Sequence, residues 1–294
     1  MYFSALLSLL ASTAAVSAVG VPARRDAESN QVLTPAGYKD ASSVLQVPDG
    51  AHISRVGENF HVVHPDGNLF ATVPAPKTEG KAAVLPEQTG WITYGSWVNP
   101  DTSNPIAKFT TDFVVPPAPA TYTEQTVFLF PGLCPSDGTT ILQPVLQYGP
   151  SSAGGGEYWA VAMWYVTETT YFVSSLVPVS AGDSLEGVMS LTGYDLSTSS
   201  FNYTTSMPPL TPTLNVNLDV QLVWGTLTLE AYSIENANSY PAGTTTWSDV
   251  YLELADGSIP TTPQWSTIQD TADGITTTFE VNAFDGTGEA TIKY

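Results

Sequence analysis

The chain has 294 residues, with 28 acidic side chains against eight basic ones and a formal net charge of −20, a balance that repels nucleic acid and anionic membranes. Its one cysteine, Cys134, excludes an intramolecular disulfide and leaves core burial as the source of stability. The three histidines, His52, His61 and His64, all precede residue 65, so the rest of the chain has no Ser-His-Asp or Cys-His arrangement and none of the imidazole ligands that most zinc and copper sites use. Neither a metal nor a cofactor is expected.

Residues 1–18, MYFSALLSLLASTAAVSA, combine an apolar run with small residues ending in Val16-Ser17-Ala18, the pattern of a cleaved signal peptide on a secreted, extracellular protein. The run is shorter than the ~20 apolar residues of a membrane helix, and no later segment reaches that length, so no membrane association is expected. Arg24-Arg25 follows as a dibasic pair of the kind used in processing. Residues 19–90 are polar and broken by turns at Pro48-Asp49-Gly50 and Pro65-Asp66-Gly67, with two or three short strands between them. This stretch holds most of the basic residues. It is expected to be a pro-segment docked on an acidic main body, or else a permanently attached β-extension.

From Trp91 the texture becomes short runs rich in Val, Thr, Tyr, Phe and Trp, cut by Gly, Pro, Asn and Asp. Strands are expected over 108–115, 126–133, 140–149, 158–166, 170–177, 183–193, 201–207, 227–234, 246–254, 275–284 and 289–294. No stretch sustains a helical period. So many strands without helices between them predict an all-β, antiparallel sandwich over residues 91–294. Asn202-Tyr203-Thr204 is a glycosylation sequon, expected on a loop or edge strand.

The reactive repertoire of this body is carboxylates, amides, hydroxyls and aromatics. In ILQPVLQYG, alternation sends Gln143, Val145 and Gln147 to one side and Leu142, Leu146 and Tyr148 to the other, which is expected to be the core side. In LTLEAYSI, Glu230 and Tyr232 face away from the core, while Glu235 falls at the end of the run as a loop carboxylate. In YWAVAMWYV, Trp159, Val161, Met163 and Tyr165 share one face and Tyr158, Ala160, Ala162 and Trp164 the other. Both faces of that strand are apolar or aromatic, so the outer one must be covered or line a groove.

Taken in order, these segments resemble the eqolisins, fungal secreted glutamic peptidases of the scytalidoglutamic type with a concanavalin-like β-sandwich. TILQPVLQYG resembles the strand that carries their catalytic glutamine, YWAVAMWYV the aromatic strand that follows, Gly182-Asp183-Ser184 a strand entry, and LTLEAYSI the strand of their catalytic glutamate. The neprosin-like peptidases are a more distant relation. The resemblance implies a catalytic pair, Gln143 and Glu230, acting on a polypeptide substrate in acid. It also implies a groove lined by Gln147, Trp159, Met163, Tyr165 and Tyr232. In that mechanism the glutamate takes a proton from water and later gives it to the leaving amine, while the amide donates to the oxyanion. Two other readings stand beside it. One is a carbohydrate-binding or glycan-cleaving sandwich, with Trp159 and Tyr165 stacking on sugars and Glu157 or Glu186 supplying a second carboxylate. The other is a non-catalytic relative of the peptidases.

Overall fold

Alternating apolar and polar side chains set the architecture of the computed structural model, which describes residues 30–76, 90–261, 263–269, 274–281 and 283–294. The leader expected over residues 1–18, the Arg24-Arg25 pair and residues 77–89 of the N-terminal stretch lie outside these. In chain order the strands begin with β1 (Gln31–Thr34), β2 (Gly37–Asp40), β3 (Val44–Gln46), β4 (His52–Val56), β5 (Asn59–Val63) and β6 (Leu69–Pro74). They continue with β7 (Trp91–Val98), β8 (Ile106–Val114), β9 (Thr126–Pro135), β10 (Thr140–Ser151), β11 (Gly154–Thr167), β12 (Tyr171–Val173) and β13 (Val177–Pro178). The last are β14 (Ser184–Asp195), β15 (Ser200–Ser206), β16 (Thr213–Leu218), β17 (Leu222–Tyr232), β18 (Thr244–Leu254), β19 (Ser266–Gln269), β20 (Thr276–Val281) and β21 (Asp285–Lys293).

Two sheets result. Sheet I runs β19-β7-β17-β9-β10-β11-β12-β3, with β13 also on β11, and sheet II runs β20-β21-β18-β8-β14-β15-β16-β4-β5-β6. Among the described strands every pairing is antiparallel except β12 with β3 and β16 with β4. The protein is thus an all-β sandwich, as the sequence predicts. Each expected run forms strand. Within residues 91–294, β7, β16 and β19 are additional, as are β1, β2 and β3 in the N-terminal stretch, and the sequences of β7 and β16 explain why pattern alone misses them. β7 is apolar or buried on both sides of Gly95, so it shows no alternation, and β16 places Asn215 and Asn217 at its outward positions, a residue type poor in strand propensity.

Gln31–Tyr294 is one compact unit. Within it β3 lies on sheet I, and β4, β5 and β6 extend sheet II, with Arg55 bonded to Asp219 at 3.1 Å. β1 and β2 are different. They form a two-stranded ribbon that joins neither sheet.

Leu142, Leu146 and Tyr148 pack between the sheets together with Leu129, Leu133, Leu227, Leu229, Phe109, Met189, Tyr203 and Trp247, so the core side read from the sequence is the core side. The sheets approach each other closely at Pro131 and Pro144. Proline has no N–H to give a ladder, and pairing of β10 with β9 is interrupted between Leu142–Leu133 and Leu146–Leu129. Gly187 of sheet II fills the space opposite, where a β-carbon would stand 2.7 Å from Pro131 Cγ and 3.6 Å from Pro144 Cγ. Gly187→Val is therefore expected to overpack this contact and lower stability by about 1–3 kcal/mol, seen as a lower urea midpoint with unchanged slope.

Candidate active site

The other face of sheet I is also buried. On it Glu230 stands opposite Trp91 of β7 and Phe128 of β9, Phe128 stands opposite Gln147 of β10, and Gln147 opposite Ala160 of β11. Directly opposed residues project from the same side of a sheet. One transverse row thus reads Trp91, Glu230, Phe128, Gln147, Ala160. Two rows further along, Gln143 stands opposite Trp164, and Thr226 of β17 opposite Gly132 of β9. Around these rows Phe130, Val145, Ala162, Trp164, Tyr94 and Trp224 form a second apolar cluster that Leu33 and Ala36 of the β1–β2 ribbon join.

This register corrects the expected pairing. Gln143 and Glu230 share a face, but two strand spacings and four residues of rise separate them, on the order of 15 Å between backbones. The neighbour of Glu230 across β9 is Gln147, at about 10 Å by strand spacing. The offset follows from β9, whose length in register fixes how far β10 slides relative to β17, a quantity that neither strand's sequence contains. Both amides are buried, and their states differ. Gln147 donates through Nε2 to the carbonyls of Gly149 (2.7 Å) and Gly154 (2.9 Å) and accepts from Ser151 Oγ (2.8 Å), which locks it into the β10–β11 turn. Gln143 has neither amide atom bonded among the described residues, and the Trp164 indole N–H opposite is also without a partner.

Glu230 is wholly buried. The Tyr232 hydroxyl donates to its Oε1, and Oε2 has no partner among the described residues. Burial pushes the carboxyl up from its ordinary 4.5 to about 8, with smaller opposing effects from the Tyr232 hydroxyl, the Trp91 indole and the distant charge of Lys39. Burial, followed by the adjacent Glu230, raises the Tyr232 phenol. An isolated acid in an apolar setting prefers its neutral form, so at acid pH Glu230 is a proton donor here. The mechanism implied by the resemblance needs this carboxyl ionised before it can take a proton from water.

Three of the expected groove residues lie elsewhere. Tyr165 opposes Leu142, Met163 opposes Pro144 and Trp159 opposes Tyr148, so all three point into the core between the sheets, buried. Their parity in β11 is as read; the side assigned to the groove is the wrong one, because β10 turns its Leu142 face inward. The same placement removes the two aromatics expected to stack on sugars. Tyr232 and Gln147 do belong to the Glu230 face. Glu235 is exposed in the loop after β17, as expected, and Glu157 is exposed on β11.

Glu186 opposes Asp112 across β14 and β8 and lines, with Asp249, a separate cleft of about 690 Å³ on sheet II. There burial and then the charges of Glu186 and Asp249 raise the Asp112 carboxyl. Asn202 lies in β15, between β14 and β16, and accepts from Asn217 Nδ2 at 2.9 Å. It is half-buried in an inner strand, where a loop or edge position was expected. Among the described residues no cluster of His, Cys, Asp and Glu fit for a metal occurs. Trp91 and Phe128, which bracket Glu230, escaped the sequence reading; the aromatic at the start of β7 was the signal available.

No family model matches the chain, and no curated protein matches it. Among solved structures it is similar to a scytalido-glutamic peptidase with a peptide-based transition-state analogue, at 14% identity and a TM-score of 0.46. It is also similar to SCP-B, a member of the eqolisin family of peptidases, in a complex with the tripeptide Ala-Ile-His, at 15% identity and a TM-score of 0.44. Each comparison covers 70% of this chain and 98% of the other.

The raised carboxyl has a consequence for stability. Between pH 4.5 and about 8 the folded chain holds on Glu230 a proton that the unfolded chain releases. Its stabilising contribution is therefore complete below pH 4.5 and lost as pH rises through about 8, a difference on the order of a few kcal/mol. Thermal unfolding of the wild type and Glu230→Gln across pH 4–9 is expected to show the wild type losing more stability with rising pH than the variant. Parallel profiles would contradict the buried, neutral carboxyl.

Proposed function

We propose that the chain is a secreted, acid-acting endopeptidase of the glutamic type, with Glu230 as proton carrier and the glutamine of its own row, Gln147, as amide donor. The observation that carries this reading is the row itself: an acid and a primary amide on one face, separated by about two strand spacings, with Phe128 as floor. That span suits an extended peptide bond and one water.

In the proposed reaction ionised Glu230 takes a proton from water while the hydroxide oxygen bonds to the peptide carbonyl carbon. The carbonyl oxygen, now an oxyanion, accepts from an amide N–H. Glu230 then gives its proton to the peptide nitrogen as the C–N bond breaks, which leaves an acid and an amine. Glu230 reaches its ionised form in acid only when water reaches it and its pKa returns toward about 4.3. Gln147 serves as donor once it exchanges one of its two carbonyl partners for substrate. An amide does not titrate, so this donor persists at any pH. Tyr232 orients the carboxyl through its hydroxyl. Gln143, the glutamine that the family resemblance singles out, occupies the Trp164 row and has no acid across from it.

A non-catalytic, peptide-binding relative is the second reading, favoured by Thr226 in the row of Gln143 where a glutamate would be required. Acid-range proteolysis of a denatured protein separates the two. After incubation at pH 3–5, the wild type is expected to cleave, Glu230→Gln to lose at least 100-fold, and Gln147→Ala to lose more than Gln143→Ala. Equal cleavage by wild type and Glu230→Gln, or a larger loss in Gln143→Ala, would reject the assignment. No cleavage by any of them, with peptide still bound, would favour the second reading.

A further inference from the structure

The β1–β2 ribbon is built differently from the rest of the N-terminal stretch. β3 and β4 enter the ladders of the two sheets, so their removal would open a sheet edge. β1 and β2 form a ladder with each other and with no other strand, from Gln31–Asp40 to Thr34–Gly37, around a turn closed by Thr34 Oγ donating to the Gly37 carbonyl at 2.9 Å. A lone two-stranded ribbon is marginal in water. This one is held by the face that carries Glu230.

Its anchors fall around the Glu230–Gln147 row. Leu33, only 8% exposed, enters the second apolar cluster. Its carbonyl accepts from the backbone N–H of Ser152 at 2.8 Å, in the turn that Gln147 braces. At the other end of the row the ring of Tyr38 meets Tyr232 edge-on, with centroids 6.1 Å apart. The Gly37 backbone hydrogen-bonds to the Tyr232 phenol, which in turn holds Glu230. Lys39 lies 5.5 Å over the ring of Tyr171. A main-chain hydrogen bond, one apolar side chain in a pocket and a ring contact beside the acid are what an extended peptide ligand would make on such a face.

From this arrangement we propose that the Glu230 face of sheet I is a seat for an extended polypeptide with an apolar anchor residue, and that Gln31–Asp40 is its resident occupant, an intramolecular plug that keeps the acid dry. The plug rests on the peptidase reading for its purpose, and its seat does not: binding is measured apart from cleavage. Leaving, the ribbon would uncover Tyr232 and Glu230 without breaking any sheet ladder. The substrate class that follows is an extended, unfolded peptide with Leu or a similar aliphatic residue at the Leu33 position.

The test uses the full chain carrying Glu230→Gln, so that no peptide is consumed, with and without Leu33→Asp. Gly37→Val is the second unseating variant, because Gly37 has φ +85° and the turn needs it. The probe is a fluorescent synthetic peptide with the sequence of residues 31–40, read by polarisation. Both unseating variants are expected to bind it at least tenfold tighter than the parent chain, to lose it to excess unlabelled peptide, and to keep their sheet signal in circular dichroism. The same peptide with Leu33 replaced by Asp should fail to bind. Equal binding by all chains would overturn the proposal. So would loss of the sheet signal in both variants, which would make the ribbon part of the fold's core. If binding behaves as expected while the unseated chain with native Glu230 cleaves nothing, the seat stands and the peptidase reading falls.

Discussion

Sheet I is buried on both faces, and that constraint governs the rest of the molecule. One face packs against sheet II in the usual way of sandwiches. The other carries Trp91, Tyr94, Phe128, Phe130, Trp164 and Trp224, a surface far too apolar to leave in water. Something has to cover it, and part of the cover is a ribbon from the chain's own N-terminal stretch. The same covering strips water from Glu230, which sets the carboxyl's protonation state. Packing and electrostatics on this face are thus one problem, to whose solution ten residues that belong to neither sheet contribute.

Seen this way, the polar groups on that face divide into two kinds. Gln147 is satisfied three times over and stiffens a turn. Gln143, Trp164 Nε1 and Glu230 Oε2 are buried without hydrogen bonds among the described residues, at a cost of about 1–3 kcal/mol for each such group. Stability alone gives no reason to keep these polar groups on an otherwise apolar surface. A face that is opened and hydrated for part of the protein's life does give one, since in that state the same groups meet water or a peptide.

The sequence made the fold class plain, because period-two alternation in β10, β14, β15 and β18 is clear and no helical period competes. It also predicted correctly that Leu142, Leu146 and Tyr148 face the core, and that Glu230 and Tyr232 share the opposite side. It failed where alternation carries no information. In β11 both faces are apolar, so composition could not say whether Trp159, Met163 and Tyr165 or their alternates line the outer face. The slide of β10 against β17 depends on β9, with its Pro131, and on the matching break at Pro144. That slide moved the partner of Glu230 from Gln143 to Gln147. Long-range register is a property of paired strands, which explains why short motifs found that β10 and β17 share a face but not which amide stands in the row of Glu230.

The most direct measurement is the titration of Glu230 itself, followed by the carboxyl carbon signal of isotope-labelled protein in the full chain and in Leu33→Asp. The account predicts a midpoint near 8 in the full chain, falling toward the ordinary glutamate range, about 4.3, once the ribbon is unseated. An ordinary midpoint in the full chain, or the same raised midpoint in both proteins, would contradict it.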